Sequence, residues 1–335
     1  MLVRDQEGKM AYNVVTVFGG AGFLGRSIVN TLARQGALVR VACRRPDEAL
    51  RCKLMGDVGQ VAPVAANIRD DASVAAAVDG ADAVINLVGI LYESGRQSFD
   101  AIHRDGAGRI AQAAASAGVT QFVHVSAIGA DPEAASHYAR SKGEGEAAVK
   151  AAFDNAVILR PSILFGPDDD FFNRFAALAR ILPVLPLIGG GHTRFQPAYV
   201  CDVAEAAVAA LTNSDTVGQT YELGGPQIYS FRQLLEVLLT VIDRKRLLVP
   251  VPFWAAMVKA FFLELSPAPL LTRDQLRQLR RDNVVTEGVA GFVDLGIAPT
   301  APEVILPTYL SRFRRGGGGA KKAVAAETTS MVQAR

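Results

Sequence analysis

Apolar residues in the first half of the chain fall into short β-branched runs separated by longer stretches of helical spacing. The runs at 14–18, 38–43, 61–65, 83–88, 121–125 and 156–160 are short enough to be buried strands. Between them, apolar positions three and four apart predict helices over 22–35, 71–79, 98–117 and 138–152. Strands that alternate with helices build βαβ units, and these assemble a parallel sheet covered on both faces. After Arg160 the alternation loosens. Helices are expected at 170–181, 202–212, 230–241, 253–265, 272–281 and 302–313, with short strands at 184–188, 220–223 and 246–249. This half reads as a smaller lobe interleaved with the last strands of the sheet.

The first strand runs without a gap into Gly19-Gly-Ala-Gly22-Phe23-Leu24-Gly25 and then into a helix. Strand, glycine turn and helix in that order form the opening of a dinucleotide-binding unit. One glycine permits the turn, one lets the backbone approach a pyrophosphate, and one lets helix and strand pack closely. The helix start offers N–H groups and a positive dipole end to phosphate. Gly20, Gly22 and Gly25 fit one spacing of this motif and Gly19, Gly22 and Gly25 another, and the glycines alone do not choose. The expected fold is therefore α/β, a Rossmann-type doubly wound parallel sheet with a smaller C-terminal α/β lobe. The expected organisation is a leader at 1–12, an NAD(P)-binding domain at 13–165, a C-terminal lobe at 166–315 and a disordered Gly- and Lys-containing tail at 316–335.

Composition narrows the classes. Half the residues are apolar and the formal net charge is +2, with no dense basic block, so no nucleic-acid partner is expected. Cys43, Cys52 and Cys201 lack metal-ligand spacing, and His103, His124, His137 and His192 are scattered, so no metal site is expected. The most apolar stretch, Leu247 to Leu265, carries Pro250, Pro252, Lys259 and Glu264. A spanning helix needs ~20 nearly uncharged residues, so this stretch reads as a buried or interfacial helix.

Several places could carry chemistry. The second strand ends in Cys43-Arg44-Arg45, where an NAD site carries an acid for the ribose hydroxyls. Arg44 instead suits a 2′-phosphate, which favours NADP(H) over NAD(H). Asn67-Ile68 after the third strand and Leu87-Val88-Gly89 after the fourth are placed to flank the adenosine. Tyr138 and Lys142 stand four apart on one helix face, where a Tyr hydroxyl could protonate a carbonyl oxygen and a Lys could lower the Tyr pKa and bind the nicotinamide ribose. Ser126, at the end of the fifth strand, could complete a Ser-Tyr-Lys set. Pro161, in Arg160-Pro-Ser-Ile-Leu-Phe-Gly166, could border the nicotinamide.

These residues resemble a family. Gly19, Gly22 and Gly25 with Tyr138 and Lys142 are similar to the extended and atypical short-chain dehydrogenases/reductases. Phe195-Gln-Pro-Ala-Tyr-Val-Cys-Asp202-Val203 looks like their element in which an acid caps a helix. Within that superfamily, Phe122-Val-His-Val-Ser126, Ser136-His-Tyr-Ala-Arg-Ser-Lys142 and Phe165-Gly-Pro-Asp-Asp-Asp-Phe-Phe-Asn173 resemble the accessory subunits of respiratory complex I of the thirty-nine-kilodalton type, in a bacterial version. So do Leu263-Glu-Leu-Ser-Pro267, Leu271-Thr-Arg-Asp274 and Asp294-Leu-Gly-Ile-Ala-Pro-Thr300, which lie where general dehydrogenases vary most. The resemblance implies an NADP(H)-binding subunit without turnover, with Tyr138, Lys142 and Ser126 serving as cofactor clamps. It implies a peripheral place on the cytoplasmic side of a bacterial inner membrane, beside complex I peripheral-arm subunits and with possible membrane-surface contact. An active NADP-dependent reductase or epimerase and an accessory protein of ubiquinone biosynthesis are the alternatives.

Overall fold

Seven parallel strands form the centre of the computed structural model, which describes residues 13–266 and 269–316. Six of them are β1 (Val14–Phe18), β2 (Leu38–Cys43), β3 (Val61–Ala65), β4 (Ala83–Asn86), β5 (Gln121–Val125) and β6 (Val157–Pro161). Four short strands, β7 (Leu164–Phe165), β8 (Val184–Ile188), β9 (Arg194–Phe195) and β10 (Ala198–Tyr199), precede the seventh, β11 (Thr220–Leu223). The order across the sheet is β11-β6-β5-β4-β1-β2-β3. The chain winds one way from β1 to β3 and the other way from β4 outward. The reversal leaves a crevice at the carboxyl ends of β1 and β4, the place where such sheets bind ligands.

The strands are apolar on both sides because helices cover both. On one face α1 (Phe23–Arg34) and α6 (Val200–Thr212) pack over Val15, Val17, Val39, Val41, Val123 and Leu159. On the other, α2 (Asp71–Val78), α3 (Asp105–Ser116) and α4 (His137–Ala152) cover Phe18, Val84, Phe122 and Ile158. The Ala-rich α3 and α6 present small side chains, which brings helix and sheet close. A second core gathers α5 (Phe171–Ile181), β8, α7 (Phe231–Val241) and α10 (Pro302–Leu310) around Phe172, Leu185, Leu235 and Leu306. Between these elements lie β12 (Tyr229–Ser230), β13 (Leu247–Val251), which pairs with β8, and the helices α8 (Phe253–Leu263) and α9 (Arg273–Gln278).

The predicted elements appear, with instructive differences at their ends. The fourth strand stops at Asn86 rather than at 88, because the Asn86 side chain accepts the Val88 N–H and turns the chain out of the sheet. The helix expected over 98–117 opens with a π turn at Asp100–Arg104 before α3. A 3₁₀ segment, Pro46–Met55, fills the connection after β2, which the apolar pattern did not announce. The leader expected at 1–12, the tail beyond Gly316 and Pro267 lie outside the described residues.

Candidate functional site

The glycine turn sits at the crevice. Gly19 has φ +80°, a conformation open to glycine, and its carbonyl accepts the N–H of Gly22 at 3.0 Å. Gly25 is held by packing: a Cβ there would stand 2.4 Å from the Gly19 carbonyl oxygen and 2.6 Å from the Gly20 Cα. Gly22 is the N-cap of α1 and makes no side-chain cap, and the first intrahelical bond runs from Arg26 N–H to Gly22 O at 3.0 Å. The N–H groups of Phe23, Leu24 and Gly25 are therefore left for an acceptor from outside the helix.

From this turn a groove of about 290 Å³ runs along the carboxyl ends of the strands. Gly19, Gly22, Arg44, Asn67, Ile68, Leu87, Val88 and Gly89, all predicted, line it. So do Glu48, Arg69, Gln97 and Ile102, which the sequence did not mark. The two arginines after β2 differ. Arg45 is paired with Glu48, whereas Arg44 is exposed and makes no ion pair among the described residues. Arg69 is fixed by donating to the Arg96 carbonyl at 3.0 Å, and Asn67 Oδ1 accepts the Arg69 N–H at 3.2 Å. The groove thus offers cations at one end, glycine backbone and free N–H groups in the middle, and an apolar lip at Leu87–Val88. That sequence of chemistry fits a dinucleotide: Arg44 toward a ribose phosphate, Asn67 and Ile68 toward adenine, and the α1 start toward pyrophosphate.

Beyond Gly89 the site becomes a buried polar cluster between β5, α3 and α4. Lys142 is buried and its Nζ donates to the Val125 carbonyl at 2.9 Å. A Cβ on Gly89 would stand 3.8 Å from that Nζ, so the lysine lies against the end of the groove. Burial lowers the Lys142 pKa to about 8, partly offset by Glu146. The Tyr138 ring packs edge-on against Phe99 and His103, at 5.8 and 5.3 Å between ring centres. Burial raises its pKa to about 12. The expectation that Lys142 lowers the Tyr138 pKa is not met: burial raises it, and the ammonium is bonded to the Val125 carbonyl. Ser126 is buried, its hydroxyl has no partner among the described residues, and its backbone N–H donates to Leu159 O at 2.7 Å. Pro161 is buried and its carbonyl accepts the Ile128 N–H, so it borders the strand end rather than lining the groove.

His103 has a defined role in holding the groove lip. Its Nε2 accepts the Ile90 N–H at 3.0 Å, so its Nδ1 carries the proton and donates to Ser141 Oγ at 2.9 Å. Ser141 in turn donates to the Tyr138 carbonyl. Burial and the neighbouring Lys142 hold the His103 pKa at about 2. His124 is neutral for the same reasons; its Nδ1 meets the Asn86 amide at 3.2 Å and its Nε2 has no partner among the described residues. Among the described residues no cluster of His, Cys, Asp or Glu is arranged to hold a metal ion, and no helix is long and apolar enough to cross a membrane.

The acids of the motifs that carried the resemblance tie backbone and side chains together, several of them across long stretches of sequence. Asp274 of α9 accepts the Ser136 hydroxyl and the N–H groups of His137 and Tyr138 at 2.8–3.0 Å. Asp169 accepts from Phe172 N–H at 2.6 Å and from the Tyr309 hydroxyl. Asp202 was expected to cap a helix; its carboxylate instead accepts the N–H and hydroxyl of Thr300 at 2.6 and 3.1 Å, so it ties α6 to the C-terminal segment. Asn283 Oδ1 accepts from Ser162 Oγ and from the Ile163 N–H, fixing the chain after β6. Arg160, at the end of β6, bonds Glu146 through two nitrogens at 2.9 and 2.7 Å and reaches Glu222 at 3.5 Å.

A sequence model of the NAD dependent epimerase/dehydratase family matches residues 15–224. The chain is 37% identical over 316 residues to the mitochondrial NADH dehydrogenase (ubiquinone) 1 alpha subcomplex subunit 9 of Arabidopsis thaliana, covering 91% of this chain and 79% of that one. It is 34% identical over 200 residues to the ceramide reductase of Caulobacter vibrioides, covering 59% of this chain and 61% of that one. Its fold matches that of DesIV, a dTDP-glucose 4,6-dehydratase of Streptomyces venezuelae solved with NAD and TYD bound. The TM-score is 0.70 at 20% identity, over 90% of this chain and 98% of that one.

Proposed function

This chain belongs to the NAD dependent epimerase/dehydratase family, and we propose that within it the protein is an NADP(H)-holding accessory subunit of respiratory complex I without turnover of its own. The observation that carries this reading is the reach of the likeness. The family model stops at residue 224, whereas the likeness to the complex I subunit covers 91% of the chain and so takes in most of the C-terminal lobe. Two features of the site support it. Lys142 is committed to a backbone carbonyl, and the Tyr138 hydroxyl is held protonated, so the pair is arranged to clamp a ligand rather than to exchange protons near neutral pH. The dinucleotide would supply hydride chemistry wherever it met an acceptor; the residues here bind and orient it.

The partner surface is α8. Trp254, Phe261, Phe262 and Leu265 are 73, 50, 63 and 77% exposed. Exposed aromatic side chains so close together on one short helix mark an interaction face. Charged substitution at Trp254, Phe261 or Phe262 is expected to remove the protein from the complex I band on blue-native gels while NADP(H) affinity of the isolated protein stays unchanged. Retention of all three variants in the band would overturn the assignment of this face.

A second reading, an active NADP-dependent reductase, is favoured by the intact Tyr138–Lys142 spacing and by the likeness to a ceramide reductase. Under that reading Tyr138→Phe abolishes NADPH oxidation with a lipid or quinone carbonyl acceptor while nucleotide still binds. No oxidation by the wild-type protein across such acceptors favours the subunit reading.

A further inference from the structure

The helical hairpin α8–α9 does two things at once. Its outer side exposes Trp254, Phe261 and Phe262, and its inner side reaches the helix that carries Tyr138 and Lys142. Glu264, just past the end of α8, accepts the Arg273 N–H at 2.6 Å and pairs with the Arg273 guanidinium at 2.7 Å. The two helices are therefore tied together at their junction. Their shared core is small: only Ala256, Ala260 and Leu276 are fully buried in its cluster, with Ile188, Val251, Met257, Leu271 and Leu279 half-buried against them. With so little apolar area behind it, much of the hairpin's attachment to the main domain falls on polar contacts.

Chief among these is Asp274. Its Oδ1 accepts the His137 N–H at 2.8 Å, and its Oδ2 accepts the Ser136 hydroxyl at 2.8 Å and the Tyr138 N–H at 3.0 Å. The two N–H groups are donors that a helix start leaves unpaired. Ser136 already caps α4 by accepting the Ala139 N–H, so Asp274 adds a second cap delivered from another lobe. A carboxylate at this end also interacts favourably with the helix dipole. One turn further along, Lys142 abuts Gly89 at the end of the groove.

We propose that Asp274 is a positioning residue that couples the α8–α9 hairpin to the nucleotide site, so that occupancy of the groove and the placement of the hairpin strengthen one another. This rests on the reading that the groove binds a dinucleotide at Tyr138 and Lys142. The hairpin sets the entry angle of α4 through three hydrogen bonds to one carboxylate. A ligand held by Tyr138 and Lys142 fixes the same first turns of the helix. Linkage makes the effect reciprocal: whatever orders the hairpin tightens nucleotide binding, and nucleotide orders the hairpin.

Trp254 is the chain's single tryptophan and lies on α8, so its emission reports the hairpin. The test titrates the full-length protein with NADP⁺, which does not absorb Trp emission, following binding by calorimetry and Trp254 by fluorescence. In the wild type the emission change saturates with the calorimetric isotherm. In Asp274→Ala the affinity falls roughly fivefold or more and the emission change disappears. Asp274→Asn, which keeps acceptor oxygen without charge, recovers part of both, and Ser136→Ala gives a smaller loss should Asp274→Ala fail to fold. If the wild type binds NADP⁺ with no response from Trp254, and Asp274→Asn and Ser136→Ala bind as tightly as wild type, the coupling is wrong while the nucleotide reading stands. Absence of any binding to the wild type overturns the nucleotide reading, and this inference with it.

Discussion

Lys142 donates to the carbonyl oxygen of Val125 across 2.9 Å, from a position buried between α4 and the sheet. A buried ammonium held by one neutral acceptor costs stability, and its pKa of about 8 expresses that cost. An unfolded lysine titrates near 10.4. Between about pH 8 and 10.4 the unfolded chain holds a proton that the folded protein has released, so the Lys142 contribution to stability rises with pH. The slope is at most ~1.4 kcal/mol per pH unit. Tyr138 acts in the opposite direction, because its pKa is raised to about 12, but only above ~10, where an unfolded phenol ionises. The prediction is that Lys142→Met unfolds at equal or higher urea concentration than wild type at pH 8, with an advantage that shrinks by pH 9.5. The same variant should bind NADP(H) at least tenfold more weakly. A variant that is strongly destabilised at pH 8 would show that the lysine holds the fold.

His103 gives a pH dependence on the acid side. It is folded in its neutral form, accepting from Ile90 and donating to Ser141, with its pKa held at about 2. An unfolded histidine takes up a proton near pH 6.5. As pH falls below that value the unfolded state binds a proton that the folded state refuses, and stability drops by up to ~1.4 kcal/mol per pH unit for this residue. His124, also held neutral, acts in the same direction. His103→Gln should flatten the fall in urea midpoint between pH 6.5 and 5, at the cost of lower stability at pH 7.5. An unchanged slope would mean that other groups dominate acid unfolding.

The parallel sheet was legible in the sequence because strand runs such as Val14–Phe18 are largely apolar on both sides, as strands covered by helices on both faces are. The glycine turn was legible because Gly19, Gly22 and Gly25 act locally. The ties between lobes were not. Asp274 meets Tyr138 across 136 positions of sequence, and no periodicity announces such a partner. The motif Leu271-Thr-Arg-Asp274 stood out only by resemblance, and its work became visible when α9 was placed on α4. Asp202 illustrates the converse. An acid in the first turn of α6 is what a cap predicts, yet the carboxylate is claimed by Thr300, 98 positions away. Arg44 and Arg45 are equivalent as letters; the neighbouring Glu48 separates them in space.

That separation makes a cofactor prediction. Arg44 lines the groove without a carboxylate partner among the described residues, while Arg45 is neutralised by Glu48. A charge-assisted bond to a 2′-phosphate contributes ~1.5–3 kcal/mol. Arg44→Ala should therefore weaken NADP(H) binding about 10- to 150-fold and leave NAD(H) binding near its original level. Arg45→Ala should change either affinity much less. Calorimetric titration of both cofactors against both variants decides it, and equal losses for NAD(H) and NADP(H) in Arg44→Ala would remove the phosphate role.

Gly22 and Gly25 separate binding from folding. A Cβ on Gly25 would overlap the Gly19 carbonyl oxygen at 2.4 Å and the Gly20 backbone at 2.6–2.7 Å, and backbone on both sides leaves nothing to swing aside. Gly25→Ala must push α1 away from the turn, and a destabilisation of several kcal/mol is expected, on the scale of overpacking into rigid surroundings. Gly22 has φ −74°, which alanine adopts freely, and an added Cβ would meet only the Gly19 carbonyl, at 3.2 Å. Gly22 also lines the groove, where added bulk stands in the way of a pyrophosphate approaching the α1 N–H groups. Gly22→Ala is therefore expected to melt within a few degrees of wild type yet lose most of its NADP(H) affinity, whereas Gly25→Ala loses both. Thermal melts with and without saturating NADPH separate the two outcomes. Wild-type ligand stabilisation in Gly22→Ala would place the phosphates elsewhere, and a normal melting temperature for Gly25→Ala would mean that α1 can shift away from the turn at little cost.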